Sequence, residues 1–588
     1  FAETNQEILD TVLMAFYLAE KSKIPIIVNT DGFLSSHTAE PVIIPTQEQV
    51  DAFLPPYEPE KLSTDSPKTF YPVLLKSSLF SDHRKEFSEA MESLKSEITF
   101  ANEKFEKIFG RKYGNGLLEW HGSKDTKIVI ISYASHFGII RKTVNELADN
   151  SVSALKIKSL RPFPAEDIAK NLWHAEKIIV IDRNISPGMG GVFSQEIKSA
   201  LQKYGLNTPV FEKIAGLGGE NITVEMMKEV LTETENPFQK STIWLRNEKE
   251  AAPTKETEKK LIKTDLSSPY LPSHTACAGC GAAAPLRHIL EELGENTHLI
   301  IPACCHSITT GGDIGSSDIL EVNAFGKKIK IPKGMNTAIN TEHTLFAGAP
   351  ATASGKIAAL KQIGREDIQI VCWCGDGSTY DIGFQALSAA CERGEPIIYI
   401  CYNNQAYMNT GVQRSSATPK GIYTNTSQTG KTQNPKNMMR VIAAHKIPYA
   451  ATIILDAKHI KDLKTKVQKA KEIAKEKRGL VYLELLTPCP PGWGCEPSIT
   501  EELSRIAFET KIWPLYEVFD GEIYKIKRPK EIAENEQFEL IKQYATSQGR
   551  FKNLSDEELK NFQKAVNETW EELLKLEWIS NKKLEDLK

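Results

Sequence analysis

At 588 residues the chain is long enough for three or four domains, each with a core of its own. It is 41% hydrophobic and 25% charged with a net charge of −4, a balance that gives no reason to expect a nucleic-acid partner. The apolar runs, "KIPIIVN" among them, are of strand length and too short to cross a bilayer. The expectation is a cytoplasmic protein with neither membrane span nor secretory leader.

In chain order, Ile8, Val12, Phe16 and Ala19 keep helical spacing, and Ile24–Val28 predicts a buried strand. A domain does not usually open in the middle of such a unit, so a truncated or processed start is expected. "EPVIIPTQEQVDAFLPPYEPEK" predicts a proline-bearing extended connector, and a helix is expected around Glu86–Phe109. "KIVIIS", "ALKIKSL" and "EKIIVID" then predict a parallel sheet with crossover helices. Gly188–Gly191 and Gly216–Gly219 read as turns. Arg246–Asp265, highly charged and without an aromatic ring, predicts a solvated linker. The second half repeats the α/β grammar with strands "HLIIPAC", "IQIVCWC", "PIIYICY" and "GLVYLELL", and becomes Glu/Lys-rich and helical beyond about Lys530. No internal sequence repeat is visible.

The informative stretch joins two of these strands. "IQIVCWC" is apolar enough for a central parallel strand covered on both faces, and it ends on Gly375-Asp376-Gly377. In open α/β sheets ligands bind beyond the carboxyl ends of strands. The glycines let backbone approach a ligand closely, and the helix predicted over "STYDIGFQALSAACERGE" offers N-terminal amides, that of Ser378 foremost, to phosphate oxygens. The next strand brings Asn403 and Asn404 to the same edge. Mg²⁺ takes roughly six oxygens, typically one or two from protein groups and the rest from phosphate and water. Asp376, the Asn404 amide and the Ala406 carbonyl would supply half such a shell. The plainer reading is a DG turn and a polar strand end; the strand–GDG–helix–strand–NN order favours a diphosphate–magnesium site.

"GDGSTYDIGFQALSAACERGEPIIYICYNNQAYMNTG" closely resembles the β subunit of pyruvate:ferredoxin oxidoreductases (pyruvate synthases). The resemblance implies thiamine diphosphate as the ligand and Asp376, Asn404 and Ala406 as the Mg²⁺ ligands. It also makes Asn409 a polar catalytic residue near the thiazolium and substrate. "YASHFGIIRKTVNELADNSVSALKIKSLRPFPAEDI", "IIVIDRNISPGMGGVFSQEI" and "IAGLGGENIT" resemble the transketolase-C-terminal-like domain of the same enzyme's α subunit. The implied α/β organisation is the end of an α-subunit pyrimidine-type cofactor domain (1–60), a helical connector (61–122) and the transketolase-C-terminal-like domain (123–245). A charged linker (246–266), the β-subunit cofactor domain (267–535) and a helical tail (536–588) follow. Residues Gly311–Ile339 do not follow the family pattern. The family's activating glutamate, its substrate-carboxylate arginine and its ferredoxin-like and γ-type domains are expected on other polypeptide.

All ten cysteines lie between Cys277 and Cys495, which suggests reduced thiols rather than a disulfide framework. By itself Cys277-x-x-Cys280 is ambiguous between zinc, a redox dithiol and an iron–sulfur cluster. The resemblance implies a 4Fe–4S cluster on Cys277, Cys280, Cys305 and Cys489, with Cys304 and Cys495 as competing neighbours. Cys372, Cys374, Cys391 and Cys401 read as small core residues. The implied activity is reversible conversion of pyruvate and coenzyme A to acetyl-CoA and CO₂, with electrons passing through the cluster to ferredoxin. Implied partners are γ/δ-type subunits, the missing α portion and further copies in an oligomer. The alternatives are a branched-chain 2-oxo acid enzyme, a non-redox thiamine enzyme, and an inactive electron-transfer or assembly subunit.

Overall fold

The computed structural model describes residues 1–32, 34–57, 77–147, 151–232, 244–247, 261–271, 274–310, 319–332, 335–476, 478–551 and 554–586. The chain divides into two compact units, Phe1–Ala251 and Ala252–Lys588.

In the first unit, helix Asn5–Ser22 is capped by Thr4, whose hydroxyl accepts the Glu7 N–H. Its buried face is Glu7, Asp10, Met14, Tyr17 and Leu18, not the predicted apolar stripe, and Phe16 is exposed. The two buried carboxylates decide this. Asp10 accepts from Arg111 and Tyr113 at 2.6–2.8 Å, and Glu7 pairs with Lys156 and Lys158 from the sheet. The predicted strand Ile24–Val28 is also corrected: the run is non-regular and Ile27 is 81% exposed. A strand needs a neighbour for its peptide groups, and none of the described strands lies beside this run. The expected helix around Glu86–Phe109 is Ser77–Phe109.

The predicted parallel sheet is present: β1 (Leu118–His121), β2 (Ile128–Ser132), β3 (Val152–Ile157), β4 (Lys177–Asp182) and β5 (Val210–Ile214). Its order is β1-β3-β2-β4-β5, with only β1 antiparallel. Gly188, Gly190, Gly216, Gly218 and Gly219 all have positive φ, so both glycine runs are turns.

The first described strand of the second unit is β6 (Leu261–Ser267), so a strand starts within the segment read as linker, whose residues 248–260 lie outside the described residues. Then come β7 (Thr297–Pro302), β8 (Ile319–Ala324), β9 (Lys327–Pro332), β10 (Asn340–Thr344), β11 (Gln369–Gly375) and β12 (Ile397–Asn403). The chain closes the sheet with β13 (Tyr449–Ile453), β14 (Val481–Leu486), β15 (Leu515–Phe519) and β16 (Ile523–Lys527). The main sheet runs β10-β7-β11-β12-β14-β13-β15-β16, parallel as far as β13 and antiparallel at the last two. Part of a separate sheet of order β6-β8-β9 lies within the off-pattern stretch: β8 and β9 form an antiparallel hairpin through Phe325-Gly326, while 311–318 and 333–334 lie outside the described residues.

β11, β12 and β14 are buried throughout or nearly so, as continuous apolar strands between two helical layers must be. Cys372, Cys374, Cys391 and Cys401 are core residues, as read. Helices Glu534–Thr546 and Asp556–Asp586 form the tail, and Tyr544, Phe551 and Leu559 share one apolar cluster with Trp493.

Candidate active site

The register of β11 on β12 pairs Gly375 with Tyr402, so Asp376 and the two asparagines leave the sheet at one level. The asparagines have different tasks. Asn403 turns inward: its amide donates to Glu484 at 2.8 Å and to the Tyr380 hydroxyl at 3.0 Å, and its oxygen accepts the Gln405 N–H. Glu484, buried on β14, also accepts from Tyr380, and burial pushes its carboxyl up from the usual range. Gln405 then takes φ +66°, a left-handed turn that swings the Ala406 carbonyl back towards Asp376.

Asn404 turns the other way. The terminal atom of its amide lies 2.9 Å from Asp376 Oδ1 and 2.8 Å from the Ala406 carbonyl oxygen. With nitrogen there, the amide donates to both. With oxygen there, its separations from the other two oxygens are close to the roughly 3 Å between adjacent corners of an octahedron whose oxygens lie about 2.1 Å from Mg²⁺. The donor set therefore fits a hard cation.

Asp376 is buried, and desolvation raises its carboxyl to about 7, opposed by the Ser415 hydroxyl and by backbone N–H groups. Ser415 donates to Oδ2 at 2.5 Å. Ser415 is held in turn by Lys431, whose buried ammonium donates to the carbonyls of Ser415, Ser416 and Thr418. Burial lowers that lysine to about 8.

The segment after Asp376 departs from the expected helix. Gly377–Ile382 is a π-helical turn, and the α-helix starts only at Phe384. Such turns are rare and concentrate at functional sites. Gly377 is required here because a Cβ would lie 2.4 Å from the Tyr407 ring, which is fixed by its hydroxyl donating to Asp381 at 2.9 Å. Gly375 and Ser378 are buried beside it. Asn409, expected near the substrate, is exposed on the turn beyond Met408.

The four cysteines expected to act together come from three distant segments. The Cys277–Cys280 loop closes on itself through Cys280 N–H to the Cys277 carbonyl, and Gly281 N–H donates to the Pro488 carbonyl at 3.0 Å, docking it beside Cys489. Burial pushes the Cys305 thiol up to about 12, and Cys304, Cys489, Cys280 and Cys277 all lie within its electrostatic reach. Cys489 is likewise raised to about 12 by burial, with Cys280, Cys277 and Cys495 around it. The Cys304 thiol, raised to about 11 by burial, lies instead near the Tyr402 hydroxyl and Cys374. Among the described residues no three His, Cys, Asp or Glu side chains are spaced to hold a single metal ion. A four-iron cluster keeps its thiolates farther apart than one ion does, so the cysteine set remains compatible with it.

Trp493, at the end of "PCPPGW" (Pro488–Trp493), joins the two groups. Its backbone N–H donates to the Cys489 carbonyl at 2.7 Å, and its indole N–H donates to the Asn404 carbonyl at 2.8 Å. Sequence reading missed Trp493, Ser415 and Lys431. Of these only Trp493 stood in a recognisable motif.

Comparison with known proteins identifies the family. The ketoisovalerate oxidoreductase subunit VorB of Pyrococcus furiosus is 38% identical over 331 residues, 55% of this chain and 97% of the relative. The pyruvate synthase subunit PorB of Methanothermobacter thermautotrophicus is 40% identical over 309 residues, 51% of this chain and 96% of the relative. The chain belongs to the thiamine-diphosphate-dependent 2-oxoacid:ferredoxin oxidoreductases. Three family models agree: a pyruvate flavodoxin/ferredoxin oxidoreductase thiamine-diphosphate-binding domain matches 1–103, the pyruvate:ferredoxin oxidoreductase core domain II 126–227, and a C-terminal thiamine-pyrophosphate-binding domain 313–485. This last match contains β11, β12 and the Asp376–Asn404–Ala406 trio. A solved 2-oxoglutarate:ferredoxin oxidoreductase from Magnetococcus marinus aligns over 40% of this chain and 79% of its own, at 19% identity and a TM-score of 0.29. The oxidoreductase thus combines α-subunit-like and β-subunit-like sequence in one chain, and none of its described helices is long and apolar enough to cross a membrane.

Proposed function

We propose that this oxidoreductase acts on pyruvate, converting it with coenzyme A to acetyl-CoA and CO₂ and passing two electrons through a 4Fe–4S cluster to ferredoxin, reversibly and in the cytoplasm. The observation that carries the reading is the convergence of the Asp376 carboxylate, the Asn404 side-chain amide and the Ala406 carbonyl at the carboxyl ends of β11 and β12. Thiamine diphosphate, when bound, supplies the electron sink that makes decarboxylation of a 2-oxo acid possible. The chain's own share is to hold and orient it. Asp376, the Asn404 amide oxygen and the Ala406 carbonyl would ligate Mg²⁺. Gly375, Gly377 and Ser378, buried where β11 ends, would present backbone to the diphosphate. Asn409 would face the substrate, and Cys277, Cys280, Cys305 and Cys489 would hold the cluster.

The relatives are named as subunits, which supports partner subunits; those expected are of γ/δ type, together with an α portion carrying the activating glutamate. A branched-chain 2-oxo acid is the second substrate reading, supported by the similarity to VorB. An inactive electron-transfer or assembly subunit is the third. The test is anaerobic purification followed by Mg²⁺-dependent thiamine diphosphate binding. Dye reduction is then measured with pyruvate or 2-oxoisovalerate plus coenzyme A, with the complementary α portion supplied. Higher kcat/KM for pyruvate supports the proposal, higher kcat/KM for 2-oxoisovalerate the second reading, and cofactor binding without turnover the third.

A pH dependence follows from Asp376. Its carboxyl must be ionised to ligate Mg²⁺, and in the cofactor-free chain burial raises it to about 7. Below that pH each bound ion must displace a proton, so cofactor affinity is expected to fall up to tenfold per pH unit below about 7 and to level off above it. Calorimetry in two buffers of different ionisation enthalpy measures both the slope and the proton released.

A further inference from the structure

The tail beyond Lys530 places a buried cation against the hub of this site. Arg550 is 5% exposed, and its guanidinium lies 3.5 Å from the centroid of the Trp493 ring. Nε donates to Gln548 Oε1 at 2.8 Å, Nη1 to Gln405 Oε1 at 2.8 Å, and Nη2 to the Tyr544 hydroxyl at 3.4 Å. Every one of these acceptors is neutral, and among the described residues no carboxylate forms an ion pair with Arg550. The arginine is locked in place by backbone: Gly549 N–H donates to the Gly494 carbonyl at 2.9 Å, and the Arg550 carbonyl accepts the Tyr423 N–H at 3.2 Å. Gly494 has φ +65° and a Cβ there would lie 3.1 Å from Gly549, so the two loops meet through their glycines.

A buried charge without an opposite charge is costly, by several kcal/mol even after relaxation. The titratable groups within electrostatic reach of Arg550 are Tyr544, Cys495 and Cys489, all raised by burial and so neutral in the cluster-free chain; a cluster on Cys489 would bring the opposite charge. Trp493 carries Arg550 on its face while its backbone N–H holds the Cys489 carbonyl and its indole holds that of Asn404. Geometry therefore connects one cation to both loops of the site.

We propose that Arg550 is a positioning and electrostatic residue: it compensates the negative charge of the thiolate-bound cluster at Cys489, raises that cluster's reduction potential, and clamps Trp493 between the cluster loop and the Asn404–Ala406 loop. This rests on the 4Fe–4S reading of the cysteines. Removing a fixed positive charge disfavours the reduced, more negative cluster, since net charge and hydrogen bonding near the sulfurs are what set such potentials. Lysine restores the charge without the planar stacking surface.

The test is a redox titration followed by electron paramagnetic resonance on anaerobically purified full chain, wild type, Arg550→Gln and Arg550→Lys, with iron and sulfide measured on each. In the wild type, absence of iron and sulfide defeats the cluster reading itself, independently of Arg550. With a cluster present, Arg550→Gln is expected to keep its iron while its midpoint moves to more negative potential, and Arg550→Lys to recover most of that shift. An unchanged midpoint in a fully loaded Arg550→Gln chain overturns the proposal. Should the glutamine variant fail to load, the lysine variant decides: loading with a near-wild-type midpoint supports the charge role, and loading with the full negative shift overturns it. Failure of the lysine variant to load as well would also overturn it, in favour of a purely structural arginine.

Discussion

Asp376→Ala is expected to abolish Mg²⁺-dependent retention of thiamine diphosphate, with affinity reduced at least about 100-fold. Even the outer-shell partners of metal ligands typically cost 10–100-fold when removed, and Asp376 stands closer than that. Within the trio it is also the single anionic donor, the Asn404 amide and Ala406 carbonyl being neutral dipoles. Its loss would leave Mg²⁺ with no fixed counter-charge from these three. Asp376→Asn, which keeps the shape and removes the charge, is expected to fall in between. The fold should not suffer: in the cofactor-free chain Asp376 is a desolvated carboxyl raised to about 7, so at pH 8 its ionised form is a cost to folding. The sign is that of a group with raised folded pKa, whose stability contribution is lost as pH rises through about 7. At pH 8 the cofactor-free Asp376→Asn chain should therefore unfold at no lower denaturant concentration than the wild type. Calorimetric titration and denaturant melts together measure both effects. Loss of cofactor accompanied by loss of fold would point to a structural aspartate.

The second large effect concerns the thiols. Cys280→Ser and Cys489→Ser are each expected to reduce bound iron from about four per chain to near none, because an unsupported corner exposes a cluster that is usually held by four thiolates. The two ambiguous pairs separate in the same experiment. Cys305 has Cys489, Cys280 and Cys277 within electrostatic reach of its sulfur, whereas the Cys304 sulfur lies near the Tyr402 hydroxyl and Cys374. Cys305→Ser should lose the cluster and Cys304→Ala should keep it, and Cys495→Ser should keep iron while shifting the spectrum. Metal-free thiols raised by burial, as these are, must release protons on loading, so reconstitution should be faster and more complete at alkaline pH. Iron and sulfide assays across the series check each outcome. Normal iron in Cys280→Ser and Cys489→Ser would contradict the ligand set.

What could be read in the chain and what could not divides along one physical line. β11 and β12 were legible because a continuous apolar run is what a strand covered on both faces requires. Gly377 and Asn404 were legible because local geometry restricts which residue can stand there. Ile24–Val28 has the same apolar signature, but pairing is a property of neighbours rather than of the run itself. The buried face of helix Asn5–Ser22 was misread because Glu7 and Asp10 are buried by partners 101 to 151 residues away. Ser415, Trp493 and Arg550 act on the Asp376–Ala406 loops from 39, 89 and 145 residues away. No spacing rule links such positions, and only the folded chain brings the guanidinium to the indole and the indole to the Asn404 carbonyl.

The most direct test of the magnesium–diphosphate site substitutes Mn²⁺ for Mg²⁺ and follows the ion by electron paramagnetic resonance, with phosphorus coupling from added thiamine diphosphate. One bound Mn²⁺ per chain, coupled to phosphorus in the wild type and absent from Asp376→Ala, is the expected result. Tight Mn²⁺ with the same phosphorus coupling in Asp376→Ala would contradict it.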